Sequence, residues 1–160
     1  MGKINHVQIR LAELSDIGQL QKLYTDFFAY NARLQPKYYK NGTVAEEYPK
    51  SVISSEGEDI FVAADNDRIV GFIHIQQHQT PPYMSYVPYK YAEIIEFFVA
   101  AEYRRHGVGS KLFDFVRMWG NERELAYIEA MVLADAKGEM QFYNQKAFDT
   151  KAHIMRCDLS

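Results

Sequence analysis

The chain has 160 residues, of which 48% are hydrophobic and 24% charged, with a formal net charge of −3 at pH 7. These values are ordinary for a soluble globular domain, and the negative charge argues against a non-specific nucleic-acid binder, which needs a dominant basic face. One cysteine excludes an intramolecular disulfide and favours a reducing, cytoplasmic setting. The start of the chain is too polar for a signal peptide, and no apolar run is long enough for a membrane span, so we expect neither. We therefore expect a single domain over residues 1–160.

Hydrophobic periodicity predicts alternating strands and helices. Val7–Leu11 alternates as a first strand, and Ser15 is a good N-cap for a helix, whose apolar face comprises Ile17, Leu20, Leu23, Tyr24, Phe27 and Phe28. A short helix between Thr43 and Ser54 precedes two strands joined by a hairpin turn, Ile60–Ala64 and Ile69–Ile75. The later elements are a loop His78–Tyr91, a strand Ala92–Val99, a helix with a core-facing stripe from Val108 to Trp119, a strand Tyr127–Leu133, a helix Gly138–Ala147 and a strand His153–Leu159. This alternation predicts a mixed α+β or α/β sheet with helices on both faces.

The segment that follows the strand Ala92–Val99 has the composition of an anion site. Two arginines and a histidine precede Gly107-Val108-Gly109-Ser110 at the start of a helix. Free amides and the positive end of a helix attract anions, glycines let the backbone approach a phosphate closely, and arginines add forked hydrogen bonds. The P-loop and dinucleotide motifs differ in the order and number of their glycines. The sequence predicts a phosphate site of another kind, and a solvated basic helix start is the alternative for the glycine pair alone.

Arg104-x-x-Gly107-x-Gly109, after a strand ending Phe97-Phe98-Val99, resembles the acetyl-CoA-binding signature of the GNAT family of N-acetyltransferases. The segment 142–148 resembles the late helix end of the same family. The resemblance implies a mixed, mostly antiparallel central sheet of six to seven strands, flanked by helices on both faces. It also implies that acetyl-CoA is the co-substrate, bound by Phe98, Val99, Arg104, Arg105, His106, Gly107, Val108, Gly109 and Ser110, and that the chain forms a homodimer.

Three positions depart from the pattern of the family. Ala136 stands where many members have an asparagine that contacts the cofactor, Ala147 replaces the usual glycine, and Ala101 replaces a frequent proline before the loop. The first change removes the amide group of that cofactor contact, while the other two are tolerable geometrically.

Acetyl transfer to an amine needs a base for the amine and a proton donor for the departing thiolate. Glu96 is our first candidate for the base and Glu93 the second. Residues three apart in a strand point to opposite faces unless a bulge intervenes, and the resemblance implies such a bulge. Tyr143 is the candidate acid, because an ordinary tyrosine is protonated at neutral pH and because it matches the tyrosine of the family motif. The alternative for each glutamate is a side chain that faces solvent or pairs with a lysine. The alternative for Tyr143 is a tyrosine that only packs in the core.

Tyrosines are unusually frequent and suggest a substrate pocket. Tyr30, Tyr38, Tyr83 and Tyr86 are predicted to bind a cationic amine, since aromatic rings attract ammonium groups. A protein interface is the alternative, because interfaces are also rich in tyrosine. His74 and His78 lack the spacing of a metal pair, so we interpret them as structural and predict no metal site.

Our main hypothesis is an N-acetyltransferase that moves an acetyl group to a primary amine of a small, cationic acceptor by direct attack in a ternary complex. A protein N-terminus or lysine side chain as the acceptor is one alternative. A non-catalytic acyl-CoA-binding regulatory module is another, and the change at Ala136 motivates it.

Overall fold

The computed structural model describes residues 6–160. Its five strands form one sheet in chain order: β1 (Gln8–Leu11), β2 (Glu58–Asp65), β3 (Arg68–Gln79), β4 (Lys90–Val99) and β5 (Ile128–Ala130). Strands β1 to β4 pair antiparallel with their neighbours, and β5 pairs parallel with β4. The mixed, mostly antiparallel sheet confirms the predicted fold class, although the described residues supply five strands instead of six to seven.

Helices cover both faces of the sheet, as the alternation of elements predicts. They are α1 (Ile17–Leu34), α2 (Glu47–Ile53), α3 (Val108–Glu122) and α4 (Lys137–Gln145). One core joins the sheet to α3 and α4 and includes Leu112, Phe113 and Tyr143. A second core on the opposite face joins the sheet to α1 and α2 and includes Tyr24 and Val52.

The start of α1 differs from the sequence prediction. Ser15 lies in a 3₁₀ turn, and the helix begins after Asp16. Asp16 is 4% exposed and accepts hydrogen bonds from the guanidinium of Arg10 and the amide of Glu13. The buried carboxylate is paired in this way because an unpaired charge would be costly there, so Asp16 organises the turn instead of Ser15.

The predicted strand His153–Leu159 is wrong. Residues 149–160 form no regular secondary structure and are exposed. Polar contacts hold them against the surface instead of a strand ladder: Lys151 donates to Glu129, and the Arg156 guanidinium lies over the ring of Tyr38. The alternation of apolar residues in this segment therefore does not reflect one buried face. Strand β5 is also shorter than the predicted Tyr127–Leu133.

The pairing of β3 with β4 contains a bulge. The register shifts by one residue, so that Ile95 is an extra residue in β4. Directly opposed residues of an antiparallel pair project to the same face, and the opposed pairs on either side of the shift are His74–Glu96, Ile75–Ile94 and Gln76–Glu93. Because His74 and Gln76 are two apart in β3, Glu96 and Glu93 lie on one face of the sheet. It is the face that α1 and α2 cover.

Strand β4 also has a free edge. Strand β5 pairs with it only along Ala92–Ile94. From Ile95 to Val99, no strand within residues 6–160 occupies that side of β4. An unpaired strand edge presents backbone N–H and C=O groups, and this one leads into the loop before α3.

Candidate active site

The start of α3 presents free backbone amides. Gly107 is the N-cap, with φ at +84°, and as a glycine it has no side chain with which to cap the helix. The amides of the first turn have no acceptor within a helix, and the first intrahelical bond runs from the Lys111 amide to the Gly107 carbonyl. Apart from its two chain neighbours, no residue of the described range 6–160 has an atom within 4 Å of where a side chain on Gly107 would begin. Open space in front of free amides, at the positive end of a 15-residue helix, suits a phosphate group.

Packing around Gly109 is tight. A Cβ atom at this position would lie 3.3 Å from Cζ of Phe97 and 3.7 Å from Cε2 of Phe142. The sequence prediction gave both glycines the role of admitting a phosphate, and the structure supplies a different reason for Gly109. The missing side chain allows α3 to pack closely on β4 and α4.

The basic residues of the loop differ in their surroundings. The Arg104 guanidinium donates from Nε to the Val99 carbonyl at 2.8 Å and lies 5.3 Å from the centroid of the Tyr30 ring and 5.0 Å from that of Phe98. Arg105 is exposed and has φ at +61°. Arg104 is thus bound to the end of β4, while Arg105 extends from the loop toward solvent.

The remaining residues of the predicted cofactor site lie at the same end of β4. His106 is partly buried in the loop, the side chain of Val108 is buried in the core, and Ser110 lies in the first turn of α3. Since Val108 is buried, only its backbone amide is available to a ligand.

Glu96 belongs to a polar chain that reaches into the sheet. Its Oε1 accepts a hydrogen bond from the Tyr48 hydroxyl at 2.7 Å, and that hydroxyl is 3.3 Å from Nδ1 of His74. On the other side of the ring, His74 Nε2 is 3.0 Å from Oε2 of Glu58. His74 is 2% exposed. A histidine that we interpreted as structural is therefore linked to the first candidate base through a tyrosine that the sequence analysis did not select.

Two buried oxygen atoms lie beside this chain. Neither Oε2 of Glu96 nor the hydroxyl of Tyr24 has a hydrogen-bond partner among the described residues. Burial, followed by the negative charge of Glu96, raises the pKa of Tyr24. Burial and the hydrogen bond to Glu96 raise the pKa of Tyr48. Both phenols therefore stay protonated at neutral pH, and both can serve as donors.

Glu93, the second candidate base, has a different partner. Its Oε2 is 2.9 Å from Nε2 of His78. It lies three residues before Glu96, farther from the loop that contains Gly107. Each candidate base thus has a histidine of β3 as a neighbour, but only Glu96 has a buried one.

Tyr143 is a buried residue on α4. Its ring contacts Phe142 and Phe148 at centroid distances of 5.4 and 4.9 Å. Burial, followed by the charge of Glu139 one turn earlier, raises the pKa of Tyr143 and keeps its hydroxyl protonated. Phe142 also contacts Phe97, at 5.5 Å between centroids. The candidate acid therefore belongs to the aromatic layer on which the first turn of α3 rests.

The four predicted substrate tyrosines do not form one cluster. Tyr30 contacts Phe98 and Arg104, and Tyr38 contacts Arg156. Tyr83 and Tyr86 contact each other, with 6.2 Å between their ring centroids. Tyr86 lines a groove of about 730 Å³ beside β5. The tyrosines nearest to Glu96 are instead Tyr24 and Tyr48, which the sequence placed in a helix face and a short helix.

Within residues 6–160, no three histidine, cysteine, aspartate or glutamate side chains are grouped so that they could hold a metal ion. In the same part of the chain, none of the helices combines the length and apolar character needed to cross a bilayer.

Comparison with known proteins agrees with this fold. The chain superimposes on a variant of the BH1408 protein of Bacillus halodurans with a TM-score of 0.89, at 19% identity, covering 95% of this chain and 99% of that one. It superimposes on an aminoglycoside acetyltransferase from an uncultured soil metagenomic sample with a TM-score of 0.72, at 16% identity, covering 98% and 97% of the two chains. The chain therefore has the same fold as this acetyltransferase.

The model of the Acetyltransferase (GNAT) family matches residues 18–148, and the chain belongs to this family. The family prediction from the motif around Gly107 is confirmed. An uncharacterized N-acetyltransferase of Methanocaldococcus jannaschii is 28% identical over 144 residues, which is 89% of this chain. The chain spans 61% of the length of that relative.

Proposed function

We propose that this chain is an acetyl-CoA-dependent N-acetyltransferase that acts on a primary amine of a small, cationic acceptor. The observation that carries the proposal is the continuity of the free β4 edge with the free amides of α3, together with Glu96 on the same strand. Acetyl-CoA has a diphosphate and an extended arm with two amide groups. The diphosphate suits the amides that follow Gly107, and the arm suits an unpaired strand edge.

Each residue of the site would have a distinct task. The amides of Val108, Gly109 and Ser110 would hold the diphosphate, and Arg105 is exposed next to them. When bound, the co-substrate supplies an activated acetyl group. A backbone amide near Val99 would stabilise the negative charge that develops on the acetyl oxygen.

Proton transfer would be divided between two side chains. Glu96 accepts the proton that the amine releases as its nitrogen bonds to the acetyl carbon. Tyr143 donates a proton to the sulfur as the carbon–sulfur bond breaks. No covalent intermediate with the protein is needed, so direct attack in a ternary complex accounts for the reaction.

A cationic acceptor suits the face that carries Glu96. Glu93, Glu96 and Glu58 lie on this side of the sheet, and the charges of Glu96 and Glu58 act on the hydroxyls of Tyr24 and Tyr48. Negative charge and aromatic rings both attract ammonium groups. The structural similarity to an aminoglycoside acetyltransferase supports an acceptor with several amines.

Release of free coenzyme A tests the proposal. Acetyl-CoA is incubated with the protein and a panel of polyamines, aminoglycosides, amino acids and peptides, and thiol release is measured. We expect turnover with at least one cationic amine and a loss of about 100-fold or more in Glu96→Gln, with an unaltered rate in His6→Gln. His6 pairs with Asp65 elsewhere on the sheet and serves as a matched control. Turnover of peptides alone would indicate a protein acceptor, and coenzyme A binding without turnover would indicate a regulatory module.

A cytoplasmic location and a homodimer also belong to the proposal. The single cysteine supports the first. Light scattering at several protein concentrations tests the second, and a monomeric mass throughout would contradict it.

A further inference from the structure

Glu58, His74, Tyr48 and Glu96 form a continuous polar chain, which we name the relay. It joins four elements, because these residues lie on β2, β3, α2 and β4 in that order. The successive separations are 3.0, 3.3 and 2.7 Å. The amide of Gln76 donates to the same oxygen of Glu58 that faces His74, at 2.8 Å. The inner end of the relay is thereby held in place.

We propose that His74 and Tyr48 are positioning residues for Glu96 and give its proton a route into the sheet. The inference rests on the proposed function, in which Glu96 is the base. His74 touches no reacting atom, and it acts on Glu96 only through the Tyr48 hydroxyl.

The protons of the relay can be arranged in two ways. A tyrosine hydroxyl has one proton, so Tyr48 can donate to only one of its two neighbours. If Tyr48 donates to an ionised Glu96, its oxygen accepts from Nδ1–H of His74. Since Nε2 of His74 then donates to the Glu58 carboxylate, the imidazole carries both protons.

A second arrangement uses the same atoms. A protonated Glu96 donates to the Tyr48 oxygen, and Tyr48 donates to an unprotonated Nδ1 of His74. To pass from this arrangement to the first, the O–H bond of Glu96 breaks as one forms on Tyr48, while the Tyr48 O–H bond breaks as an N–H bond forms on His74. A proton that Glu96 takes from an amine can thus move to His74, and Glu96 is restored as a carboxylate. No further reactant is needed.

The surroundings of His74 suit a site that holds a positive charge temporarily. The titratable groups that face it are Glu58 from β2, Tyr48 from α2 and Glu96 from β4, with Tyr24 of α1 adjacent to Tyr48 at 5.9 Å between ring centroids. Two of these groups are carboxylates. Because His74 is 2% exposed, these carboxylates face its ring where solvent does not.

The first test is independent of any acceptor. The ring nitrogens of His74 are followed by ¹⁵N NMR against pH in the wild-type protein, in Glu96→Gln and in Tyr48→Phe. We expect both substitutions to alter the His74 signals across the pH range, because each removes one link between His74 and Glu96. The His6 signals should not move, since its partner Asp65 lies at the opposite end of β2 from Glu58 of the relay. A His74 transition that is the same in wild type and Glu96→Gln would overturn the proposal.

The second test is kinetic and separates the relay from a structural role. Tyr48→Phe and His74→Gln should each lower kcat by about 10- to 100-fold and move the acid limb of the kcat/KM profile to higher pH. The double variant should lose no more than the worse single variant, because both act through one path. Tyr48→Phe keeps its ring and is partly exposed, so it remains informative if the buried His74→Gln variant does not fold. Additive losses with an unmoved pH profile would contradict the relay.

The outcomes also distinguish this inference from the proposed function. If the wild type and Glu96→Gln transfer acetyl groups equally well, the assignment of Glu96 as the base is wrong. If Glu96→Gln is inactive while Tyr48→Phe and His74→Gln match the wild type, the base assignment stands and the relay is wrong.

Discussion

Replacement of Gly107 by alanine tests whether a left-handed residue forms the anion site. Gly107 has φ at +84°, and among the described residues only its chain neighbours come within 4 Å of the added methyl group. The effect is therefore conformational, since there is nothing for the methyl group to clash with. A left-handed conformation costs an L-residue about 1–2 kcal/mol. For a protein of this size that corresponds to a decrease in Tm of about 2–8 °C.

The same substitution should weaken the binding of acetyl-CoA. If the loop relaxes to avoid the strain, the first amides of α3 turn away from the phosphate. The loss of one hydrogen bond to a charged group costs about 1.5–3 kcal/mol, which is roughly a 10- to 150-fold increase in Kd. Calorimetry with acetyl-CoA measures Kd directly, and thermal unfolding measures Tm.

Gly18→Ala is the matched control. Gly18 lies in α1 with nothing within 4 Å of an added Cβ, and it has no positive φ. Alanine in an ordinary helical position should stabilise the protein by about 0.5–1 kcal/mol and leave the affinity for acetyl-CoA unchanged. A Gly107→Ala variant with the Tm and Kd of the wild type would show that neither the left-handed turn nor its amides matter for the ligand.

Three further changes have defined outcomes. Tyr143→Phe should lower kcat by about 100-fold with an almost unchanged KM for acetyl-CoA; an unchanged kcat would remove Tyr143 from the mechanism. Ala147→Gly should raise the free energy of unfolding by about 0.5–1 kcal/mol, because Ala147 has φ at +64°, and a decrease in Tm would contradict this. Asp16→Asn should be destabilising at neutral pH. Although burial alone would raise the pKa of Asp16, its hydrogen bonds with Arg10 and the Glu13 amide hold the pKa below the ordinary value. The stabilisation is therefore complete above about pH 4 and is lost as pH falls through the lowered pKa of the folded state. Urea titrations of both proteins at pH 7 and pH 3 should show a smaller difference in unfolding free energy at the lower pH.

Local signals in the sequence predicted the fold and the loop before α3. The strand that ends at Val99, the start of a helix at Val108 and the hairpin between β2 and β3 each depend on residues close together in the chain. Such features follow from periodicity and turn chemistry. Glu93 and Glu96 were also predicted from the sequence. They can share one face only if β4 contains a bulge, and the structure has that bulge.

Contacts between distant elements could not be predicted in the same way. Tyr48 and His74 are 26 residues apart and meet only when α2 packs on the sheet. A partial signal existed, because His74 is the residue of β3 opposite Glu96, but locating it required the register of the two strands. The tyrosines illustrate the converse: a shared residue type suggested one pocket, whereas packing distributed Tyr30, Tyr38 and Tyr83 to different parts of the surface.

The extra residue Ile95 has a consequence for any attempt to move this pair of acids to another scaffold. In a regular strand, side chains alternate with a period of two, so two acids that must share a side need an even separation. Here the separation of Glu93 and Glu96 is odd, and one inserted residue reverses the parity. Deleting Ile95 would leave a regular strand in which the two acids are two residues apart and still share a face. Pairing Ile95 into the ladder would instead carry Glu93 into the aliphatic layer beneath α3 and bring Ala92 and Ile94 out in its place. Two acids at odd spacing that share one face of a strand therefore indicate such an insertion.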